Sequence, residues 1–314
     1  MNNKIKIIFA GTPEFAVPYF EGLFHSSDFS VIGVITQSDK PSGRKQELTP
    51  PPIKLAAQNY QIKIWQPEKL RDNYWLVEEL KTSNPDLLVV VAYGQIIPLT
   101  ILNLFPCGAI NVHPSLLPKY RGPSPIQSAI LNEETETGIS IMLMDEKMDH
   151  GPILSQDKMK LTGEETNESL HQLMAIRGVP LLIKTIKDFL DKKIIPQPQN
   201  DQEATFCHII DKETAKINWQ NSAKKINAQI RALYHWPIAW TILNDKRLKI
   251  FPPTKIIENF AQIPGLIKII NDKIHIQCGQ QALEISQVQL EGKKIMSSQE
   301  IINGFKNFDG AVLK

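Results

Sequence analysis

Apolar residues form short unbroken runs in the first half of this chain and alternate with polar ones in much of the second. Ile5–Ala10, Val31–Thr36, Leu87–Ala92 and Ala109–Val112 are β-rich and bounded by Gly, Pro, Asn or Asp. Such runs predict parallel strands buried on both faces. Helix signals lie between them. Thr12 as a cap, with Pro13 at the first helical position, predicts a helix over Glu14–Phe24, and Ser124-Pro125 repeats the arrangement before Ile126–Leu131. Thr166–Leu190 has the spacing of a long amphipathic helix. Strands alternating with helices predict an α/β domain, Rossmann-like, with a doubly wound and mostly parallel sheet.

The pattern breaks at a polar, proline-bearing stretch, Lys192 to Gln202, which predicts a linker over residues 190–206. Beyond it, one helix signal (Ser222–Leu233) precedes short strands at Leu248–Phe251, Gly265–Ile270, Lys273–Gln277 and Ala282–Gln289. Turn signals such as Asn271-Asp272 and Cys278-Gly279 separate them. Short strands with frequent turns predict a small OB-like β-barrel. The expected organisation is a first domain over 1–189, the linker, and a second domain over 207–314.

Composition agrees with two ordinary globular domains. The chain has 314 residues, of which 42% are hydrophobic and 22% charged, enough to fill two cores. Cys107, Cys207 and Cys278 are widely separated, which disfavours a disulfide framework or a zinc site. The N-terminus runs straight into a strand pattern, so the expected location is cytoplasmic, away from any membrane. The net charge of +2 conceals an asymmetry: residues 207–314 hold 15 Lys/Arg against 9 Asp/Glu. The basic second half could dock a polyanion.

An open α/β sheet binds ligands beyond the carboxyl ends of its strands. Gly11-Thr12-Pro13, after the first run, lacks the glycine spacing of a dinucleotide fingerprint, which disfavours nicotinamide chemistry. The fourth run continues into Asn111-Val112-His113-Pro114-Ser115-Leu116-Leu117-Pro118. Period-two geometry places Asn111 and His113 on one face at the strand's mouth. An amide donor beside an imidazole suits acyl chemistry, where an oxyanion develops and a proton must move. A carboxylate from the later segment Asp145 to Gly151 could orient that imidazole; Asp145, Glu146 and Asp149 all compete for the role, and His150 is a weaker catalytic candidate. The long loop from Gln37 to Pro52 carries Lys40, Arg44 and Lys45, with Arg44 the natural fork for a phosphate.

Asn111 to Pro118, Tyr120-Arg121-Gly122-Pro123-Ser124-Pro125-Ile126-Gln127, Thr137 to Met142 and Asp149 before Gly151 together resemble the folate-dependent formyltransferases. Phe9 to Ala16, Asp39 to Arg44, Ile230 to Pro237 and Pro264-Gly265 narrow the resemblance to the branch that acts on methionyl-tRNA. The resemblance implies direct formyl transfer from 10-formyltetrahydrofolate to the α-amine of initiator methionyl-tRNA, without a metal, in support of translation initiation. It implies Asn111, His113 and Asp149 as the catalytic set. Ser115, Leu116, Leu117 and Pro118 would line the folate site, with backbone near Tyr93, Gly94, Gln95 and Ile96 helping to hold the pterin. Lys40, Arg44 and Lys45 would contact the acceptor stem, and the C-terminal barrel would bind tRNA as well; a monomer is expected. The insertion loop reads Gly43-Arg44-Lys45-Gln46-Glu47, with fewer positive charges than the family's usual Gly-Arg-Gly-Lys-Lys. Two other readings compete: a formyltransferase for a small amine, such as a nucleotide-sugar or purine precursor, and a non-catalytic RNA-binding protein.

Overall fold

The computed structural model describes residues 4–42, 46–305 and 308–314. β1 (Ile5–Gly11) leads through a 3₁₀ turn into α1 (Val17–His25), and β2 (Phe29–Ile35) returns parallel to it. The hairpin β3 (Lys40–Ser42) and β4 (Glu47–Thr49) precedes α2 (Pro52–Asn59) and the edge strand β5 (Ile64–Trp65). α3 (Tyr74–Ser83), β6 (Leu87–Val91), α4 (Leu99–Leu102) and β7 (Ala109–His113) follow. Then come α5 (Pro125–Leu131), β8 (Glu136–Leu143), β9 (Ile153–Lys160) and α6 (Asn167–Leu190).

The seven strands run in the order β5-β2-β1-β6-β7-β8-β9, parallel from β5 to β7, with β8 antiparallel to β7. Alternation along β1 explains its unbroken apolar run. Ile8 and Ala10 join a core cluster with Leu76 and Leu80 of α3. Phe9 points the other way and meets Phe20 of α1, ring centroids 5.7 Å apart. Each such side chain, once buried, contributes about 1.5–3 kcal/mol. The chain steps from β1 to β2 and later returns to the far side of β1 as β6. That reversal makes the carboxyl ends of β1 and β6, with β7 next door, the natural ligand crevice.

Thr12 does not cap a helix. Residues Glu14–Ala16 form the 3₁₀ turn without a side-chain cap, and the Thr12 hydroxyl instead donates to the carbonyl of Tyr93 at 2.9 Å. The Tyr93 carbonyl, two residues beyond β6, takes the proton that capping does not use. Ser124 likewise donates its hydroxyl to the His208 carbonyl.

The chain divides into two compact units. One comprises residues 1–125, 137–159 and 171–208; the other comprises 126–136, 160–170 and 209–314. The whole stretch expected to be a linker, 190–206, thus falls within the first unit. Ile153 and Gln197 exchange two backbone hydrogen bonds of 2.8 Å, and Arg121 N–H donates to the Thr205 carbonyl at 2.9 Å.

In the second unit α7 (Ala223–Ala232) is capped by Ser222, which accepts from Lys225 N–H at 3.3 Å. β10 (Trp240–Leu243), β11 (Lys246–Ile257), β12 (Ile267–Ile270), β13 (Lys273–Gln277) and β14 (Ala282–Leu290) form an antiparallel half-barrel in the order β10-β11-β14-β13-β12. The short β15 (Met296–Ser297) pairs with β14 and leads into α8 (Ser298–Gly304). The core holds Ile226 and Ile230 of α7 against Leu248, Ile250, Ile276 and Leu283.

Candidate active site

β7 ends at His113, and the pleat sets Asn111 and His113 on the same face of the sheet. Both are buried, at 9% and 3% exposure. Asp149 arrives from the turn after β8 with a left-handed backbone, φ 50°. Its Oδ1 accepts from Asn111 Nδ2 at 3.3 Å and lies 3.6 Å from His113 Nδ1. Its Oδ2 accepts from the Gly122 N–H at 2.8 Å. The other ring nitrogen, His113 Nε2, lies 2.8 Å from the carbonyl of Tyr120. A carbonyl only accepts, so Nε2 carries a proton, and Nδ1 faces a carboxylate. Both neighbours of the ring are therefore acceptors, and Nε2 is the nitrogen committed to a backbone partner. At 3.6 Å the Nδ1–Asp149 approach is too long for a good hydrogen bond, which leaves that position open to a third partner. Asn111 uses one amide proton on Asp149 and keeps a second.

Of the carboxylates left open by the sequence, Asp149 is the one set against the amide and the imidazole. Asp145 pairs with His150, Oδ2 to Nδ1 at 2.6 Å, and its Oδ1 accepts from Lys147 N–H at 2.9 Å.

Gly122 holds Asp149 from a backbone conformation, φ 123°, that side chains rarely adopt, and an added Cβ would sit 2.4 Å from the Cys207 carbonyl oxygen. Gly122→Ala is therefore expected to cost at least about 1–3 kcal/mol in backbone strain. Thermal unfolding should show a Tm lowered by several degrees; an unchanged Tm would mean that the loop relaxes freely.

The loop after His113 is held by its own polar groups. Ser115 Oγ donates to the Lys119 carbonyl at 2.6 Å, Ser140 Oγ donates to the Ser115 carbonyl at 2.7 Å, and Leu117 N–H donates to Ser140 Oγ at 3.0 Å. Gln156 Nε2 closes the set on the Leu117 carbonyl at 2.9 Å. Ser115 and Leu117 are buried, while Leu116 and Pro118 are half-buried. Leu116 and Pro118 leave apolar surface exposed on this fixed loop, whereas Leu117, expected to line the site, is 4% exposed and packs inward.

At the end of β6, the Tyr93 ring turns into the core beside Leu76 and Leu80, where burial pushes its hydroxyl pKa up to about 12. Its carbonyl accepts from Thr12 Oγ1 and from Gln37 Nε2, each at 2.9 Å. Gly94 follows at φ 85°, where a Cβ would lie 2.4 Å from Gln37 Nε2. Gln95 is half-buried and Ile96 is 77% exposed, so this turn presents backbone and an apolar side chain at the crevice.

The insertion loop begins as an anchored hairpin. Asp39 pairs with Lys54 at 2.7 Å and accepts from Gln66 Nε2 at 2.8 Å; these contacts, Gln66 first, hold its carboxyl below the usual range. Lys40 is exposed and donates to Gln37 Oε1. Arg44 and Lys45 lie outside the described residues.

Three more residues belong to the site: Gln199 and Asp201 carried no sequence signal, and Arg121 stood only within the motif that carries the family resemblance. Gln199 donates to the carbonyls of Asp149 and Gly151, and Arg121 joins Gln199 to Asp201. The Arg121 guanidinium holds the Asp201 carboxyl below its ordinary pKa. These partners stand 78 and 80 positions apart in the chain, and two of the three fall in the stretch read as a linker, so no local spacing could reveal them.

Comparison with known proteins follows the same lines. Residues 3–186 match the family model described as formyl transferase, and residues 209–306 match the formyl transferase C-terminal domain. The methionyl-tRNA formyltransferase of Caldanaerobacter subterraneus subsp. tengcongensis is 40% identical over 311 residues, covering 99% of this chain and 100% of that one. The methionyl-tRNA formyltransferase of Listeria monocytogenes is 43% identical, covering 95% of both chains. Among solved structures, WlaRD, a sugar 3N-formyl transferase crystallised in the presence of dTDP and 5-N-formyl-THF, has a TM-score of 0.66 at 22% identity and covers 93% of this chain and 100% of that one. HypX from Aquifex aeolicus in complex with tetrahydrofolic acid has a TM-score of 0.65 at 15% identity, covering 98% of this chain and 49% of that one. These last two share the fold.

Proposed function

This chain belongs to the formyl transferase family, and from that premise we propose that it moves the formyl group of 10-formyltetrahydrofolate onto the α-amine of initiator methionyl-tRNA. The observation that carries the chemistry is the convergence of Asn111, His113 and Asp149 on one point at the mouth of β7. The choice of acceptor is supported by relatives of that name that match over nearly full length and by the basic excess of residues 207–314.

As the methionyl amine attacks the formyl carbon, negative charge builds on the formyl oxygen. Asn111 presents its spare amide proton to that oxygen, and His113 presents Nδ1–H. A positioned donor of this kind lowers the barrier by roughly 2.7–4 kcal/mol. One proton must leave the attacking nitrogen and one must reach N10 of the departing folate. Asp149 and His113, 3.6 Å apart, are the acid–base neighbours placed to carry them. Backbone of Gly94 to Ile96 with the apolar faces of Leu116 and Pro118 forms the folate seat; Tyr93, Ser115 and the buried Leu117 hold those two segments in place.

Lys40, Arg44 and Lys45 supply phosphate contacts to the acceptor stem. Arg44→Ala is expected to raise KM for tRNA while leaving KM for the folate unchanged, and to reduce the salt slope of tRNA binding by about one. Equal tRNA dependence in the two proteins would remove the loop from the interface.

The test is direct. The purified chain, given 10-formyltetrahydrofolate, should place formyl groups on initiator methionyl-tRNA. It should do so with a much higher kcat/KM than on a dTDP-amino sugar. No transfer to the tRNA, or a preference for the sugar amine, overturns the reading.

A further inference from the structure

We propose that Gln199 and Arg121 form a clamp that sets the position of the Asp149 carboxylate, with Gln199 a positioning residue for formyl transfer; this rests on the catalytic role proposed for Asp149. Asp149 stands at φ 50°, a left-handed conformation that costs a non-glycine residue roughly 1–2 kcal/mol and persists only where its surroundings impose it. The surroundings here are specific. Gln199 Nε2 spends its two protons on the carbonyls either side of His150, that of Asp149 at 2.9 Å and that of Gly151 at 2.8 Å. The same amide's oxygen accepts from Arg121 Nε at 3.1 Å and Nη2 at 2.9 Å, so the amide cannot turn over without losing four hydrogen bonds.

Arg121 is 4% exposed and is fixed in turn. Its Nη2 donates to Asp201 Oδ1 at 2.8 Å, its N–H donates to the Thr205 carbonyl, and its carbonyl accepts from Cys207 N–H at 2.8 Å. The next residue, Gly122, supplies the N–H that grips Asp149 Oδ2. Residues 121–122 therefore hold Asp149 twice, at the carboxylate directly and at the backbone through Gln199. His150 adds a side-chain tie, with Nδ1 on Asp145 at 2.6 Å and Nε2 3.5 Å from Asp201. A carboxylate that must meet both Asn111 and His113 tolerates little displacement, since a misplacement of about 1 Å can cost on the order of 100-fold in rate.

Gln199→Glu is the informative variant. It keeps the size and the acceptor for Arg121, but it sets a carboxylate against two carbonyl oxygens in place of the donors. Turnover with initiator methionyl-tRNA is expected to fall about 10- to 100-fold, with KM for 10-formyltetrahydrofolate essentially unchanged. In an Asp149→Ala background the same substitution should cost less than about twofold, because the carboxylate it positions is gone. Amide exchange at Gly122, read without substrates, should quicken in Gln199→Glu. Wild-type turnover in Gln199→Glu, or an equal loss in both backgrounds, overturns the clamp. Unchanged Gly122 exchange does so whatever reaction the chain proves to catalyse. A wild-type chain that formylates no methionyl-tRNA yet shows the quickened exchange would instead overturn the proposed function and leave the clamp standing.

Discussion

His113→Ala should lower single-turnover formyl transfer by about 10²–10³-fold, the usual cost of removing one donor from an oxyanion site. The surroundings of the ring account for the loss. Nε2–H is committed to the Tyr120 carbonyl, which fixes the ring plane, and Nδ1 stands 3.6 Å from Asp149, which leaves that edge of the ring open to the reacting groups. Alanine removes the donor and the acid–base group together. The seat assigned to the folate, around Gly94 to Ile96 and Leu116 to Pro118, does not depend on the imidazole for its hydrogen bonds. Folate affinity should therefore stay within a few-fold of wild type, so the loss appears in the rate constant. Equal rates in wild type and His113→Ala would withdraw the catalytic assignment.

Asp149→Asn is the second large effect, a fall in turnover of roughly 10²–10⁴-fold, the range for a group that assists proton transfer. The shape is conserved, but the hydrogen-bonding pattern is inverted. The Gly122 N–H requires an acceptor at the position of Oδ2, so the new amide oxygen goes there and its NH₂ faces Asn111 Nδ2 and His113 Nδ1. Three donors then meet at one point. His113 can satisfy that arrangement only by offering a lone pair at Nδ1, which withdraws the proton the formyl oxygen needs. Titration calorimetry with the folate should show binding near wild type. Normal turnover with greatly weakened folate binding would contradict this account and make Asp149 a binding residue.

How much of this was legible in the sequence depends on how local each signal is. β1, β2, β6 and β7 read directly, because strands covered on both faces carry unbroken apolar runs that no exposed segment imitates. Asn111 and His113 were placed together by the two-residue period alone. Their carboxylate was not, since Asp149 faces them across a turn whose course depends on Gly122 and Gln199. β11 was read only as Leu248–Phe251 because Pro252-Pro253 cannot donate to a ladder. The strand in fact shifts register between Phe251 and Thr254, passes the two prolines, and continues to Ile257. β10 went unread although its signal was present: Asn244-Asp245 adopts φ 48° and 60°, the two-residue hairpin turn those residues favour. α8 was also announced, by the capping box of Ser297 and Glu300. Gln199, in a proline-bearing stretch that read as a linker, had no such cue, because its partners Arg121, Asp149 and Gly151 are distant in the chain.

The central claim is that an amide, an imidazole and a carboxylate act as one device around the formyl oxygen. Single-turnover transfer to initiator methionyl-tRNA, compared among His113→Ala, Asp149→Ala and the double variant, tests it most directly. If the groups act together, the double variant is slower than the slower single variant by no more than about threefold. If the two losses multiply, the residues work independently and the claim fails.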